Sequence, residues 1–377
     1  MSFEKTRYAV VDIGSNTVKM NIYDVTTSGG ETRLNLVLTE SSTIGLINYK
    51  RRRIMSDAGI SRLIETLEKY KKLALAVNVE EDRIFSLATA SLRNIVNASR
   101  VVSIVKAQTG LDTSLISGEN EALLCFDGLK YALGGSIRTG MLCDLGGASI
   151  ELLGFVDGLA VKAYSDKFGC LSLYRKFVDK VIPSKKEKRK LSRYVEERIS
   201  YVDWLGSYGD TLYIVGGTAR SAARLHAEMT GAPAPMSGYT ISYEEFLDTV
   251  DFYTDLNKKR IETLIRLMPE RLHTIVAGLL AFAEVVRRVN PKNIVISGAG
   301  LREGYLLSRM REIEENGNAE PVAEAKLELV SEPEPDEDFD DLDDDLESED
   351  IDDIDDTEDG DISGDDIPRE HSFSDQE

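Results

Sequence analysis

Apolar residues along the chain form short runs that end at turns rich in glycine and small polar residues. The first run, residues 8–11, leads into Asp12-Ile13-Gly14-Ser15-Asn16-Thr17, and alternating apolar positions resume over residues 18–25. This order predicts a β-hairpin with a polar tip. Apolar residues at helical spacing over residues 56–77 then predict an α-helix with Ser56 as its N-cap.

The first hairpin recurs later in the sequence. Residues 141–151 again place an aspartate after an apolar strand, at Asp144, which lies 132 positions (144 minus 12) beyond Asp12. The turn that follows reads Gly146-Gly147-Ala148-Ser149. A repeated unit of this kind predicts two similar domains that face each other across a cleft.

The remaining apolar segments predict both strands and helices. Residues 83–87 predict a strand, residues 101–109 a helix, and a further helix begins near Ser117-Gly118. Strand–glycine–helix units are expected at residues 213–220, with Gly216 and Gly217 at the turn, and at residues 294–304. Residues 261–289 are expected to be helical and mostly buried. The longest apolar stretch, residues 274–286, is too short to cross a membrane.

Charge is distributed unevenly along the 377 residues, a length that favours two domains. The net charge is −21, but residues 331–377 contain 25 Asp and Glu and one Arg, a net of −24, so residues 1–330 carry +3. A slightly basic body does not repel a phosphate-rich ligand. The acidic segment, residues 317–377, is expected to be disordered.

The three cysteines are sparse and lack CxxC spacing, which argues against a disulfide framework and a zinc site. The amino terminus leads straight into the first predicted strand without a secretory signal. A cytoplasmic location, with no membrane partner, is therefore expected.

Several of these polar residues suit phosphoryl hydrolysis, which needs an activated water and groups that hold phosphate charge. Asp12 and Asp144 at the two hairpin tips are candidate ligands of a divalent cation. Glu121 is a candidate general base, and Arg93 is a candidate phosphate ligand. Taken alone, each of these residues can be explained as a turn former or a surface residue. The repetition of the hairpin with its aspartate favours a functional role for them.

Six segments, in this order, resemble the Ppx/GppA family of exopolyphosphatases and guanosine pentaphosphate phosphatases, which has the actin-like superfold. They span roughly residues 7–310 as a set. The matching segments are residues 12–17, 88–93, 116–122, 144–151, 216–220 and 301–304.

The resemblance implies an α/β protein of two actin-like (ribonuclease H-like) domains, each a mixed sheet flanked by helices. Residues 1–126 form the first expected domain and residues 127–300 the second, and helix 301–316 is expected to pack back on the first.

The resemblance also implies site residues. Glu121 is implied as the base that activates water, and Asp144 and Glu151 as catalytic or magnesium-associated carboxylates. Asp12 completes the expected Mg²⁺ ligands. The expected phosphate-binding residues are Arg93 and the turn residues Gly14, Ser15, Asn16, Thr17, Gly146, Gly147, Ala148, Ser149, Gly216 and Gly217.

The chain departs from the family pattern at several positions. Leu123 stands where the family usually has Arg, and Ala148 where it usually has a third glycine. If that position requires a positive φ, alanine costs on the order of 1 kcal/mol. Residues 42–46 lack the usual basic residue, and we expect the chain to lack the helical C-terminal region of larger members. These departures predict a weakened activity or an altered substrate preference.

Two segments of the chain are strongly basic: residues 185–193 and Lys50-Arg51-Arg52-Arg53. A solvated surface is the ordinary interpretation of such segments, and a landing surface for a long polyphosphate chain is the functional one. Specific nucleic-acid binding is not expected, because few aromatic residues lie among the charges. A solubilising role for the acidic segment is favoured over a role in which it competes with substrate for a basic groove.

The sequence therefore favours a Mg²⁺-dependent exopolyphosphatase that acts on inorganic polyphosphate, and the resemblance implies a homodimer. Guanosine pentaphosphate 5′-phosphohydrolase is the closest alternative. An actin-like kinase and a catalytically weak polyphosphate- or nucleotide-binding regulator are the alternatives from other functional classes.

Overall fold

The computed structural model describes residues 5–135, 137–317 and 328–329. The strands are β1 Lys5–Ile13, β2 Thr17–Ser28, β3 Glu31–Thr43, β4 Lys50–Arg51, β5 Ile54–Met55, β6 Ile84–Ala88, β7 Thr113–Leu115, β8 Gly140–Leu145, β9 Ile150–Val156, β10 Leu159–Asp166, β11 Thr211–Val215, β12 Tyr239–Ser242, β13 Asn293–Ile296 and β14 Glu328–Leu329. The α-helices are α1 Asp57–Ala76, α2 Ala90–Arg93, α3 Ala98–Thr109, α4 Gly118–Ala132, α5 Cys170–Phe177, α6 Lys185–Ser200, α7 Gly216–Thr230, α8 Tyr243–Thr254, α9 Lys258–Leu267, α10 Leu272–Val289 and α11 Leu301–Gly317. Short 3₁₀ helices cover Leu46–Tyr49, Glu81–Arg83 and Pro269–Arg271.

Two sheets repeat one topology. The first has the strand order β3-β2-β1-β6-β7, and the second has the order β12-β13-β11-β8-β9-β10-β14. In each sheet a three-stranded antiparallel meander (β1–β3 or β8–β10) continues into two parallel strands (β6 and β7, or β11 and β13). This arrangement confirms the predicted α/β class with two mixed sheets and the predicted duplication.

Each sheet carries a helix that belongs, by chain order, to the other half. Helix α4 follows β7 but packs its apolar face on the second sheet, whereas α11 follows β13 and packs on the first. The boundary predicted between residues 126 and 127 lies within α4. The acidic segment predicted to be disordered falls outside the described residues, except for Gly317 and the two residues of β14.

Helices α4 and α11 cross in backbone contact. A Cβ atom at Gly304 would lie 1.8 Å from the carbonyl oxygen of Leu124, and one at Gly128 would lie 2.1 Å from that of Gly300. Any side chain at either position would push the helices apart. The two sheets are therefore joined through a pair of glycines that permit close helix packing.

Helix α1 agrees with its prediction, because the Ser56 side chain accepts a hydrogen bond from the amide of Gly59. Residues 261–289, predicted to be helical and mostly buried, form two α-helices, because α9 ends at Leu267 and α10 starts at Leu272; α10 is mostly buried, whereas α9 buries only Leu264. Pro269 explains the break, since proline cannot donate to a helix and forces the preceding residue out of helical geometry. In the part of the chain that the structure describes, no helix is long and apolar enough to span a membrane.

Candidate active site

The tips of the two hairpins have the same geometry. Ile13 pairs with Val18 and Leu145 pairs with Ile150, so each turn contains four residues. The amide of Gly14 donates to the carbonyl of Thr17 at 3.2 Å, and the amide of Gly146 donates to that of Ser149 at 2.9 Å. The sequence repeat is thus a structural repeat at the two predicted phosphate-binding turns.

The second turn is fixed from behind by the start of α5. The amides of Cys170 and Leu171 donate to the carbonyls of Gly146 and Gly147 at 3.0 and 2.9 Å. A Cβ atom at Gly169 would lie 2.6 Å from this turn's backbone, so glycine is needed there. The φ angle of Ala148 is not positive. Alanine is therefore tolerated at this position without the strain considered above.

Three carboxylates meet beside this turn. Asp144 on β8 and Glu151 on β9 are directly opposite each other in the hairpin, and Glu121 lies in the first turn of α4. The Glu151 side chain is fully buried: its Oε1 accepts from Ser165 Oγ at 3.0 Å, and its Oε2 has no hydrogen-bond partner. Cys125 Sγ donates to Asp144 Oδ2 at 3.1 Å.

Arg93 lies between two of these carboxylates. Its Nη1 donates to Glu121 Oε2 at 2.8 Å, and its Nη2 donates to Glu151 Oε1 at 3.5 Å. Arg93 thus orients the candidate base.

A Cβ atom at Gly118 would lie 2.2 Å from the Cβ of Ser165, so glycine allows α4 to approach β10 closely.

Burial changes the acid strength of this cluster. Burial is the main cause that raises the pKa of Glu121 well above its usual value, and the Glu151 charge adds to it while Arg93 opposes it. Burial likewise raises the pKa of Glu151 and of Asp144. A carboxylate whose pKa is raised toward neutral pH is suited to general-base catalysis.

Four cations that are not among the predicted site residues lie near one another: Lys19 and Arg302, from β2 and α11, and Arg220 and Arg271, from α7 and the 3₁₀ helix Pro269–Arg271. Burial, followed by repulsion from Arg302 and Arg271, lowers the pKa of Lys19 to about 8. Arg302 Nη1 donates to Asp12 Oδ2 at 3.3 Å, while its buried Nε has no partner. All four side chains are partly buried. Like charges brought together away from water are costly unless an anion compensates them, so this cluster suits phosphate.

The start of α7 closes the site. Gly216 has a φ of +91°, and a Cβ atom there would lie 2.6 Å from Asp144 Oδ1. A Cβ atom at Gly217 would lie 2.2 Å from Arg271 Nη2. The two glycines therefore bring the amino end of a 15-residue helix against both the carboxylates and the cations, where its positive end favours an anion.

The residues present fit a magnesium ion. No three His, Cys, Asp or Glu side chains within the described ranges form a ready-made metal cage. Mg²⁺, however, commonly takes one or two carboxylates and completes its shell with water and phosphate oxygens. Asp144 and Glu151, with its unpartnered Oε2, offer such a pair, whereas the predicted ligand Asp12 is already ion-paired with Arg302.

Comparison with known proteins finds similarity to phosphatases. The sequence profile of the Ppx/GppA phosphatase family matches residues 17–313. Exopolyphosphatase 1 of Mycobacterium tuberculosis is 25% identical over 312 residues, which cover 81% of this chain and 88% of that protein. A bifunctional 3-dehydroquinate synthase/phosphatase of Fusobacterium nucleatum is 23% identical over 298 residues, which cover 77% of this chain and 44% of that protein.

Two solved structures are similar along most of their length. The Ppx/GppA enzyme of Aquifex aeolicus has a TM-score of 0.65 and 25% sequence identity, with 81% of this chain and 100% of that chain covered. An exopolyphosphatase from Cytophaga hutchinsonii has a TM-score of 0.69 at 19% identity, with 81% and 98% covered, and is similar in fold. Because the family profile matches most of its length, this chain belongs to the Ppx/GppA phosphatase family.

Proposed function

We propose that this protein is an exopolyphosphatase that hydrolyses the terminal phosphoanhydride bond of inorganic polyphosphate, with Mg²⁺ as cofactor. The observation that carries the proposal is a cluster of cations close to a cluster of buried carboxylates. Partly buried cations, Lys19 among them, form the first cluster, and the carboxylates around Glu121 form the second. The first cluster suits consecutive phosphates, and the second suits a water molecule and a metal ion.

The proposed reaction is direct attack by water. Glu121 accepts a proton from the water, the water oxygen forms a bond to the terminal phosphorus, and the bridging P–O bond breaks. The products are orthophosphate and a chain shorter by one phosphate. Arg93, which donates to Glu121 at 2.8 Å, orients the carboxylate toward the water.

The negative charge of the phosphates is balanced by groups of this chain. Lys19, Arg220 and Arg302 stabilise the phosphate oxygens, and the amides of the two hairpin turns act with them. Asp144 and Glu151 would hold Mg²⁺, which when bound neutralises charge on the terminal phosphate and its neighbour.

Guanosine pentaphosphate carries the same terminal bond and is the competing substrate. The slightly basic body and the exposed arginines Arg51, Arg52 and Arg53 favour the longer polyanion. Phosphate release is measured from both substrates with Mg²⁺ at equal terminal-phosphate concentration. The proposal predicts a higher kcat/KM for polyphosphate; a higher value for guanosine pentaphosphate would assign that substrate instead. Tight polyphosphate binding without release would identify a regulator.

A further inference from the structure

A small basic hairpin stands outside both main sheets. Strands β4 and β5 pair through Lys50 with Met55 and Arg51 with Ile54, and Arg52 and Arg53 form the tip. The hairpin is firmly anchored, because Asn97 makes two side-chain bonds to the Met55 backbone at 3.0 and 2.9 Å. The basic segment noted in the sequence is therefore a defined structure with a fixed position.

The tip has an unusual sequence for its backbone conformation. Arg52 and Arg53 have φ angles of +49° and +57°, so both central residues of this two-residue turn are left-handed. Turns of this type strongly prefer Asn-Gly, because a Cβ atom is unfavourable in the left-handed region. Arginine at both positions makes the turn less stable but places two positive charges at its tip. This combination points to a function in binding.

The hairpin adjoins the candidate active site. The amide of Ile47, in the 3₁₀ helix before β4, donates to the carbonyl of Ser15 in the first hairpin turn at 2.9 Å. Lys50 Nζ donates to the carbonyl of Ala90 at 3.4 Å, at the opposite end of α2 from Arg93. The basic segment thus begins one short helix away from the turn expected to bind phosphate.

The second half of the protein contributes a cation at the same place. Arg175 on α5, the helix that fixes the second turn, reaches across the cleft so that its Nη1 donates to the carbonyl of Ile47 at 3.4 Å. Its side chain is exposed. Cations from both halves therefore flank the edge of the cleft.

Two cations of the hairpin are available to a ligand. Arg51 and Arg52 are exposed, and neither has a carboxylate partner among the residues described. With Ile54 and Ser56 they line an open depression of about 430 Å³. Uncompensated guanidinium groups around a depression suit bidentate contacts with phosphate oxygens.

We propose that Arg175, Lys50, Arg51 and Arg52 form a distal track for the part of a polyphosphate chain that lies outside the cleft. The terminal phosphate occupies the cleft while phosphates further along the chain lie on the β4–β5 hairpin. Long chains then bind more tightly than short ones and stay bound between cleavages. This inference rests on the proposed function for its ligand.

The test measures equilibrium binding, so it does not depend on turnover. A Glu121→Gln protein is titrated at low salt with long-chain polyphosphate and with tripolyphosphate, alone and combined with R51Q/R52N. Asn is favourable at the left-handed tip, so this variant is expected to keep its melting temperature. The Kd for the long chain should rise by about fivefold to twentyfold, and the Kd for tripolyphosphate should stay unchanged. Arg52→Lys, which keeps the charge, should retain most of the affinity.

Several outcomes overturn the track. One is that the Glu121→Gln protein binds long-chain polyphosphate and tripolyphosphate with equal affinity. Another is that R51Q/R52N loses affinity equally for both ligands. A third is loss of long-chain affinity in K186A/R189A, on the other basic segment, with none in R51Q/R52N. Failure of the proposed function is detected separately, as absence of phosphate release by the wild-type protein.

Discussion

Lys19 in the first hairpin occupies the position that Glu151 occupies in the second. Lys19 pairs with Asp12 across β1 and β2, and Glu151 pairs with Asp144 across β8 and β9. The duplicated unit has therefore kept its aspartate and reversed the charge opposite to it. This difference gives the first hairpin a cation that suits phosphate and the second hairpin a carboxylate close to Glu121, the candidate base.

The raised pKa of Glu121 predicts the acid side of the pH profile. A general base works only when ionised, so kcat/KM should rise with pH as Glu121 loses its proton, at a pH well above that of an ordinary glutamate. Phosphate release measured across pH at saturating Mg²⁺ checks this. A rate that is already constant at the pKa of an unperturbed carboxylate would contradict it.

Lys19 predicts the alkaline side of the same profile. Its pKa is lowered to about 8, so the ammonium is present below that pH and is lost above it. The rate should therefore fall as pH rises through about 8. Lys19→Arg keeps the charge at every pH in the range and should abolish this decline. Lys19→Met should raise KM below about pH 8, and the difference from wild type should close at higher pH, where Lys19 is itself neutral. An unchanged alkaline limb in Lys19→Arg would exclude Lys19 as its cause.

Cys125 is predicted to position Asp144. Its thiol donates to Asp144 Oδ2 at 3.1 Å, which orients a carboxylate expected to hold Mg²⁺. Cys125→Ala should raise the Mg²⁺ concentration needed for half-maximal activity by about tenfold, the lower end of the effect of such outer partners. Cys125→Ser, which restores a donor, should recover most of this loss. Equal Mg²⁺ dependence in the two variants would indicate a packing role alone.

The crossing of α4 and α11 predicts a stability effect. Gly304→Ala places a methyl group where only 1.8 Å separates it from the Leu124 carbonyl oxygen. The variant should lose at least about 2 kcal/mol of unfolding free energy in urea titration. Gly300→Ala is the matched control, because its nearest contact is an ordinary 3.7 Å. Similar free energies of unfolding for Gly304→Ala and Gly300→Ala would show that α4 and α11 can move apart without loss of stability.

Much of the fold follows from the sequence because its signals are local. The hairpin repeat, the Ser56 cap and the glycine turn at residue 216 each depend on neighbouring residues. The long strand β3 gave no such signal, since it forms a sheet edge and most of its side chains are not buried. The exchange of α4 and α11 between the sheets is set by packing between residues distant in the chain.

The carboxylates of the candidate site and Arg93 could be selected from the sequence, whereas the other cations could not. Asp12 and Asp144 are marked by the duplication, and Glu121 by the turn that opens its helix. Lys19, Arg220 and Arg271 are ordinary charges in sequence, and only the fold brings them together. The register partner of Asp12 was the one local signal available, since Lys19 stands where the second hairpin has Glu151.

Phosphate release from long-chain polyphosphate with Mg²⁺, by wild type and by Glu121→Gln, tests the central claim most directly. Glu119→Gln, two residues earlier on α4, is the matched control. The account predicts release by wild type and by Glu119→Gln, and a loss of about 10²- to 10⁴-fold in Glu121→Gln with polyphosphate still bound. Release by Glu121→Gln at the wild-type rate would contradict the assignment of the base and the mechanism built on it.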